Sequence, residues 1–382
     1  MTDMDAVPTP VLLVSKPVTP PWNDSSKNLV KDLALAGEGF EYHVLTPRDT
    51  PFDASRAASR VVSHGVYGGA GEHTPGLLAN LRVLLHLLRS ARAPLWHFFF
   101  APNPRTSSAA RALITVRRRR AVQTICSRPR SFDGVERQLF GERVITVSRA
   151  TREALLAAGV APSRVLHIPP GIALPAARDA ATRARTRARY GVPEGHDLLL
   201  YPGDYQFSRA ADTALRALIA LGPRPVTLVM ACRIKQAASR AEEARLQAAA
   251  GAGGVAERVR FVNEVPDILD LVAASDLCLL PAESLYAKMD LPLVLIEAMA
   301  LGVPIVVAEG TPSVELLDDD ARVGLAVPPR DAGALAKAIG ELLDAPQRRR
   351  LMGDAARRSA QRRYSIGEMA RRHEALYREL LR

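Results

Sequence analysis

The chain has 382 residues, of which 48% are hydrophobic and 24% are charged. These fractions are those of a globular protein and exclude a disordered one, and the length suffices for two domains of ordinary size. No apolar segment approaches the roughly 20 residues that a membrane-spanning helix needs, and the polar, acidic N terminus argues against a secretory signal. The three cysteines are far apart and form no CxxC pair, so we expect neither disulfides nor a zinc site, and a cytoplasmic location.

Positive charge is concentrated in the first half of the chain. Residues 1–190 hold 27 Lys and Arg against 14 Asp and Glu, whereas residues 191–382 hold 24 against 26. A basic half suits an anionic membrane surface, a phosphorylated acceptor or nucleic acid, although abundant arginine also follows from a GC-rich genome. The run Arg117–Arg120 is a candidate contact for lipid head groups at the inner face of a membrane. It has no interleaved aromatic residues and no nucleic-acid motif accompanies it, so we do not expect nucleic-acid binding.

Short apolar runs that alternate with helical patterns predict parallel sheets covered by helices. Asp24 or Ser25 is positioned to cap a helix that runs to about Ala36, and Ser148 to cap a helix over 149–158. Residues 63–76 are rich in Gly and His and predict a loop. The other predicted elements of this half are a helix at 77–90 and strands at 11–15, 41–46, 95–100, 121–126, 143–146 and 165–168.

A second series of strands begins near residue 198. Its predicted members are 198–201, 226–231, 258–262, 276–280 and 303–307, with helices between them and a helical, arginine-rich tail at 347–382. We therefore predict an α/β protein whose two Rossmann-like domains have parallel sheets that face each other across a ligand cleft. The predicted divisions are an N-terminal domain 1–175, a linker 176–190, a C-terminal domain 191–364 and a helix 365–382 that packs back on the N-terminal domain.

Glu297 is the only charged residue in the apolar run 291–307, which predicts a buried helix followed by a buried strand. A carboxylate in such a run loses hydration and has to find a partner. We interpret Glu297 as facing a ligand cleft near the start of the helix. The alternative is a buried Glu that backbone groups or an arginine satisfy.

The same region resembles the signature of the retaining glycosyltransferases of family 4, which have the GT-B fold. The similarity is carried by DLCLLP at 276–281 and LVLIEAMALGVP at 293–304. It is strong over about 198–345 and diffuse before that, where VITVS at 144–148 and IPPGI at 168–172 are similar to strand ends of the family. The resemblance implies that Glu297 accepts hydrogen bonds from the ribose of a nucleotide diphosphate sugar, the donor substrate, and that no metal or separate cofactor takes part.

The chain departs from the family pattern just before this helix. A second family glutamate, eight residues before the first, is replaced by Met289. Asp290 is a candidate for the lost contact with sugar hydroxyls or for the N-cap of the helix, and both roles stay open. The backbone N–H groups of Met289, Asp290 and Leu291 are candidates for binding the diphosphate. Lys288 is a candidate for the diphosphate or an acidic sugar, or is a solvated loop lysine.

Cations have to stabilise the leaving diphosphate where no metal does so. The family has an arginine after the glycine that matches Gly203 and a lysine about five residues later. Here these positions are Asp204 and Arg209, so the first cation is lost and the second is a guanidinium that suits phosphate. Arg233 and Lys235, which follow a predicted strand, are candidate replacements, and a surface charge is the alternative for each of these cations.

Two further regions follow from the resemblance. The nucleobase is expected beside Val265, in the loop after the strand 258–262, where backbone groups usually read the base. On the acceptor side, a loop at 20–27 replaces the family's glycine-rich first loop. In it Asp24, Ser25 and Ser26 offer polar groups at the start of a helix.

The family's usual histidine near the reacting carbon has no direct counterpart. Its position falls near Cys126, and His97, one strand earlier, is either the nearest candidate or a packed neighbour of aromatic residues. We assign no general base, because in front-face attack the leaving phosphate itself takes the acceptor proton.

The sequence therefore predicts a retaining, metal-independent hexosyltransferase that uses a nucleotide diphosphate sugar and a glycan, lipid-linked or small-molecule acceptor. The residues expected to carry catalysis are Asp290, Lys288 and Arg209. A non-catalytic nucleotide-sugar or partner-binding module is one alternative, supported by the departures from the family pattern. A nucleotide-sugar epimerase of the same fold is the other, although it would need more carboxylates around the sugar.

Overall fold

The computed structural model describes residues 8–50, 52, 60–69, 76–89, 91–205, 207–234, 236–263, 265–286, 288–318 and 322–382. These residues form two compact units. Unit 1 contains the described parts of Met1–Ala173, Lys288–Asp290 and Ser365–Arg382, and unit 2 those of Leu174–Ala287 and Leu291–Tyr364. Among the described residues, no helix combines the length and the apolar character that crossing a membrane requires.

The described part of unit 1 has a parallel sheet of seven strands in the order β3-β2-β1-β4-β5-β6-β7. Its central strands β1 and β4 are almost entirely buried, which explains their continuous apolar runs. The strands are β1 (Pro10–Val14), β2 (Glu41–Pro47), β3 (Val61–Tyr67), β4 (Leu95–Phe99), β5 (Arg120–Ile125), β6 (Arg143–Thr146) and β7 (Val165–His167). The helices between them are α1 (Ser25–Ala36), α2 (Leu77–Arg89), α3 (Pro104–Arg117) and α4 (Arg149–Ala157).

The described part of unit 2 repeats this plan with a parallel sheet of six strands in the order β10-β9-β8-β11-β12-β13. Two parallel Rossmann-like sheets thus confirm the predicted fold class. The strands are β8 (Asp197–Tyr201), β9 (Val226–Ala231), β10 (Val259–Val262), β11 (Leu277–Leu280), β12 (Ile305–Ala308) and β13 (Gly324–Val327). The helices are α5 (Ala180–Arg189), α6 (Ala210–Ala220), α7 (Ala237–Ala252), α8 (Ile268–Ala274), α9 (Leu293–Ala300), α10 (Ala332–Leu343) and α11 (Pro346–Arg363).

The last helix, α12 (Ile366–Leu381), belongs to unit 1 and packs against α1. The buried carboxylate of Glu374 fixes it there. One of its oxygens accepts hydrogen bonds from the backbone N–H groups of Glu38 and Gly39, each at 2.8 Å, and from the hydroxyl of Tyr42 at 2.9 Å. The predicted helical tail 347–382 is therefore two helices, α11 and α12, which sit in different units.

Capping side chains set the starts of the helices that position functional residues. Asp24 accepts from the backbone N–H groups of Ser26 and Lys27, so Asp24 rather than Ser25 is the N-cap of α1. Ser148 caps α4 as predicted.

Three predictions about elements are wrong. Residues 63–76 were expected to be a loop, but Val61–Tyr67 form the edge strand β3, whose ladder with β2 uses backbone groups and tolerates Ser, His and Gly side chains. Of the other residues in this range, 70–75 lie outside the described residues. The proposed linker 176–190 contains α5, part of unit 2, where Arg187 bonds the carboxylate of Asp276. Asp290 does not cap α9, because the N-cap position is Pro292.

Candidate functional site

Each sheet has a switch point beside its first strand. There the chain stops adding strands on one side of that strand and begins to add them on the other. In unit 2 the chain runs from β8 outward through β9 and β10, then returns to the other side of β8 with β11. In unit 1 the corresponding point lies between β1 and β4. The carboxyl ends of parallel strands at such a switch point are the usual ligand position in open α/β sheets.

A carboxylate bridges the unit 2 switch point. Glu283, which follows β11, accepts the backbone N–H of Arg209 with both carboxylate oxygens, at 2.9 and 3.0 Å. Arg209 lies at the end of the loop after β8, immediately before α6, and its side chain is exposed. The guanidinium of Arg330 approaches the same carboxylate at 3.4 Å from the loop after β13. Three strand ends therefore meet around one half-buried acid and two exposed cations.

Sequence reasoning found Arg209 but missed Glu283 and Arg330. A single acidic residue after a strand, such as Glu283, forms no recognisable sequence motif. Long stretches of chain also separate Arg209, Glu283 and Arg330 from one another. Arg330 has a left-handed φ of 61°, a feature that becomes visible only in the structure. That conformation is uncommon for a residue with a β-carbon and marks a constrained turn.

Glu297 lies in the second turn of α9, not at the start of the helix as expected. The prediction of a buried helix followed by a buried strand is confirmed, since α9 and β12 are almost wholly buried. Val294 and Glu297, one helical turn apart, are the half-buried exceptions within α9. Burial, and then the charge of Glu297, raises the pKa of the Cys278 thiol on β11. Glu297 therefore lies along a narrow accessible strip of an otherwise buried helix, close to the strand that Glu283 follows.

Packing and hydrogen bonds shape the loop after β8. A β-carbon on Gly203 would lie 2.1 Å from the ring of the buried Tyr201, so glycine is required there for close approach. Asp204, which replaces the family arginine, is buried and accepts the backbone N–H of Phe207 at 3.0 Å. The hydroxyl of Tyr201 donates to the Asp204 carbonyl at 3.0 Å. Asp204 thus organises the turn that delivers Arg209.

The remaining unit 2 candidates lie at other strand ends. Arg233 is half-buried two residues after β9, and Val265 is half-buried in the loop after β10. Leu291 is buried just before Pro292. Lys235 lies outside the described residues. Ligand contacts of these residues stay predictions.

In unit 1, polar groups gather at the carboxyl ends of β1 and β5. The carboxylate of Asp24, which caps α1, forms an ion pair with the Lys16 ammonium at 3.2 Å. The Cys126 thiol, directly after β5, is buried, and Ser26 hydrogen-bonds to it. Burial, followed by the charge of Asp24, raises the pKa of the Cys126 thiol to about 12. Burial therefore favours the neutral form of this thiol.

Asp290 joins the same unit and is fully buried. One of its carboxylate oxygens accepts a hydrogen bond from the Ser148 hydroxyl at 2.6 Å and another from the Thr151 hydroxyl. The two residues before Asp290 differ in exposure: Met289 is buried and Lys288 is half-buried. The carboxylate of Asp290 is thus committed to the first turn of α4, and its catalytic role stays a prediction.

His97 is enclosed in the core of unit 1. It is fully buried on β4, where its Nδ1 is 2.6 Å from the Tyr377 hydroxyl and its Nε2 is 2.6 Å from the Thr124 hydroxyl. Its ring stacks on Phe99 with centroids 3.9 Å apart. Burial, and then the nearby His373, lowers the pKa of His97 well below its ordinary value. The alternative interpretation, a packed neighbour of aromatic residues, is therefore the one that the structure supports.

Family models match both halves of the chain. The model described as Glycosyltransferase Family 4 matches residues 30–174, and the one described as Glycosyl transferases group 1 matches residues 196–345. The chain belongs to the group 1, family 4 glycosyltransferases. The second match includes the segment with Glu297 on which the resemblance was based, and the predicted family is confirmed.

Relatives of the chain are named as glycosyltransferases. It is 34% identical over 205 residues to D-inositol 3-phosphate glycosyltransferase 2 of Catenulispora acidiphila, over 52% of this chain and 47% of that protein. It is 32% identical over 237 residues to the GDP-mannose-dependent alpha-(1-6)-phosphatidylinositol monomannoside mannosyltransferase of Mycolicibacterium smegmatis, over 56% of each. The chain thus spans about half the length of the relatives it matches.

Solved structures share the fold over nearly the whole chain. A glycosyltransferase from Rickettsia africae superposes with a TM-score of 0.77 at 16% identity, covering 99% of this chain and 100% of that one. Anabaena HepE in complex with UDP and glucose also gives a TM-score of 0.77 at 16% identity, covering 97% and 99%. At such low identity these matches confirm the GT-B fold.

Proposed function

We propose that the protein is a retaining, metal-independent glycosyltransferase that transfers a hexose from a nucleotide diphosphate sugar. The observation that carries the proposal is the position of Glu297, a carboxylate on the accessible strip of the otherwise buried helix α9. A carboxylate held there by a rigid, packed helix is a suitable acceptor for the two hydroxyls of a ribose.

The donor diphosphate is assigned to the strand ends around Glu283. Arg209 and Arg330 present exposed guanidinium groups there, and guanidinium binds phosphate oxygens in a bidentate manner. Their charge opposes the negative charge that develops on the leaving group. The names of relatives and solved neighbours mention both GDP-mannose and UDP-glucose, so the base is a question for experiment.

Transfer is proposed to proceed with retention at the anomeric carbon. The bond from that carbon to the diphosphate oxygen breaks, and the acceptor hydroxyl oxygen forms its bond on the same face. The hydroxyl proton passes to the leaving phosphate oxygen, so no protein base is needed. This agrees with a buried His97 whose two ring nitrogens are already hydrogen-bonded. The contribution of the protein is then positioning and charge stabilisation.

The acceptor is assigned to unit 1, where Lys16 and the hydroxyl of Ser26 lie at the switch-point end of the sheet. A phosphorylated or lipid-linked acceptor suits the positive charge of this half of the chain. Two relatives are named for inositol 3-phosphate and for a phosphatidylinositol mannoside. A location at the inner face of a membrane, in peripheral contact with anionic lipid, belongs to the same proposal.

The test compares wild type with Glu297→Ala and with Glu257→Ala, a matched removal of an exposed acid in unit 2. Thermal stabilisation by UDP-, GDP- and ADP-sugars reports donor binding, and release of the nucleoside diphosphate with and without EDTA reports turnover. We expect one nucleotide series to stabilise wild type and Glu257→Ala, and Glu297→Ala to lose at least about tenfold in affinity, as expected for hydrogen bonds to a charged group.

Two outcomes would contradict the proposal. If no nucleotide sugar stabilises the wild-type protein, the proposed donor site is contradicted. Stabilisation without turnover across phosphorylated, glycan and lipid-linked acceptors would favour the binding module. If turnover occurs, the anomeric configuration of the product, read by NMR, decides between retention and inversion.

A further inference from the structure

Helix α2 of unit 1 exposes a continuous row of leucines. Their side chains are between 39% and 87% exposed, whereas most large apolar residues of this unit are buried. The row consists of Leu77, Leu78, Leu81, Leu85 and Leu88. Scattered exposed leucines are ordinary, but several on one helix indicate an interaction surface.

The five leucines share one face of the helix. With 3.6 residues per turn, they fall within an arc of about 100°. The opposite side carries Ala79, Val83 and Leu87, which pack into the core beside Trp96. The inner face already attaches α2 to the sheet, so the outer leucines are not needed to hold the helix in place.

Positive charge surrounds this leucine face. Arg82 and Arg89 are exposed along one edge of the arc, and Arg92 is exposed just beyond the helix. The guanidinium of Arg117 donates to the carbonyl of Ala91 at 3.2 Å, which places the end of α3 and the following arginines beside the end of α2. Residues 73–132 contain eleven arginines and no Asp or Glu.

This charge pattern decides which partner fits. A second copy of the chain that paired through α2 would bring the arginines around one leucine face close to those around the other, because a two-fold interface matches the same patch on both copies. An anionic lipid surface instead offers phosphates for the arginines and an acyl layer for the leucines, as in helices that lie in the plane of a membrane interface.

We propose that α2 docks unit 1 on an anionic bilayer, with the leucine face inserted at the boundary of head groups and acyl chains. The arginines around it contact lipid phosphates, and the exposed Val116 next to Arg117 extends the contact along α3. The inference names the element behind the proposed peripheral location, but it does not require sugar transfer, so its failure is distinguishable from failure of the enzymatic proposal.

The first test is flotation of the full chain with vesicles of phosphatidylcholine alone or mixed equally with phosphatidylglycerol. We expect binding to the mixed vesicles that weakens with salt. Leu77→Gln, Leu81→Gln and Leu88→Gln combined should reduce it by about tenfold or more. Leu351→Gln, which changes an exposed leucine of α11 in unit 2, is the matched control and should bind like wild type.

A second measurement does not depend on comparing affinities. The three native cysteines are buried, so Leu78→Cys can be labelled selectively with an environment-sensitive dye. We expect the emission to shift to shorter wavelength on mixed vesicles, and no shift for the dye on Leu351→Cys. Equal vesicle binding by the triple glutamine variant, absence of the shift, or a wild-type dimer that the triple variant dissolves would each overturn the proposal.

Discussion

Glu283 holds the backbone N–H of Arg209 with both oxygens of its carboxylate, across the switch point of the unit 2 sheet. We predict that Glu283→Ala raises the KM for the donor by about tenfold, because it removes a charge-assisted hydrogen bond that positions Arg209, the residue proposed to bind the donor diphosphate. Glu283→Gln keeps one acceptor oxygen for the Arg209 N–H and should lose less. Steady-state kinetics at varied donor concentration measure the difference, and equal KM values for the two variants would argue against the positioning role.

Variants of the buried Asp290 can distinguish a positioning role of its carboxylate from a catalytic one. In Asp290→Ala the hydroxyls of Ser148 and Thr151 lose their shared acceptor, and we expect unit 1 to lose about 3 kcal/mol of stability. Asp290→Asn keeps a carbonyl oxygen there and should remain folded. Thermal melts and turnover rates of both Asp290 variants, measured together, distinguish the two roles. A stable Asp290→Asn with normal kcat makes Asp290 a positioning residue, whereas a stable but inactive one supports the catalytic prediction.

Buried histidines predict a loss of stability in mild acid. Burial lowers the pKa of His373 to about 4 and that of His97 well below its ordinary value. Between pH 6.5 and about 4 the unfolded chain binds protons that the native state does not. The free energy of unfolding therefore decreases as the pH is lowered through this range, by about 1.4 kcal/mol per pH unit for each such histidine.

Denaturant melts at pH 7.5, 6.5 and 5.5 test this slope. His373→Gln keeps a donor for the Met369 carbonyl, to which His373 Nδ1 lies at 2.8 Å, and removes one titrating group. We expect a shallower dependence on pH in this variant. An unchanged slope would show that His373 is not among the groups responsible.

Gly203 is predicted to be intolerant of any side chain. A β-carbon there overlaps the ring of Tyr201, which is fully buried and has no room to move aside. Gly203→Ala should cost about 2 kcal/mol, as overpacking in a dense core does. Gly251→Ala is the control, because the space around Gly251 in α7 is open and alanine favours a helix. Thermal unfolding of the two variants should therefore move in opposite directions.

Much of the fold is visible in the sequence because apolar runs report burial directly. The helix with Glu297 and the strand after it stand out in this way, and the capping residues Asp24 and Ser148 mark where helices begin. Edge strand β3 escaped prediction because its pairing uses backbone groups and leaves polar side chains half exposed.

The site was less predictable, because its key contacts join distant parts of the chain. Nothing local to Glu283 indicates that it meets Arg209, 74 residues away in sequence. Asp290 was predicted to contact sugar hydroxyls or to cap α9, yet the partners of its carboxylate, Ser148 and Thr151, lie about 140 positions earlier. For His97 the sequence left both interpretations open, because an isolated histidine next to aromatic residues gives no sign of whether its nitrogens are already bonded.

The return of α12 to unit 1 has a consequence for the order of synthesis. The sheet of unit 1 leaves the ribosome first, but Glu374 and Tyr377, which bond Tyr42 and His97, are made only after the whole of unit 2. Unit 2 has no such delay, since nearly all of its residues are contiguous in the chain. A growing chain therefore holds an incomplete first unit while the second one folds, with buried polar groups of β2 and β4 awaiting their partners.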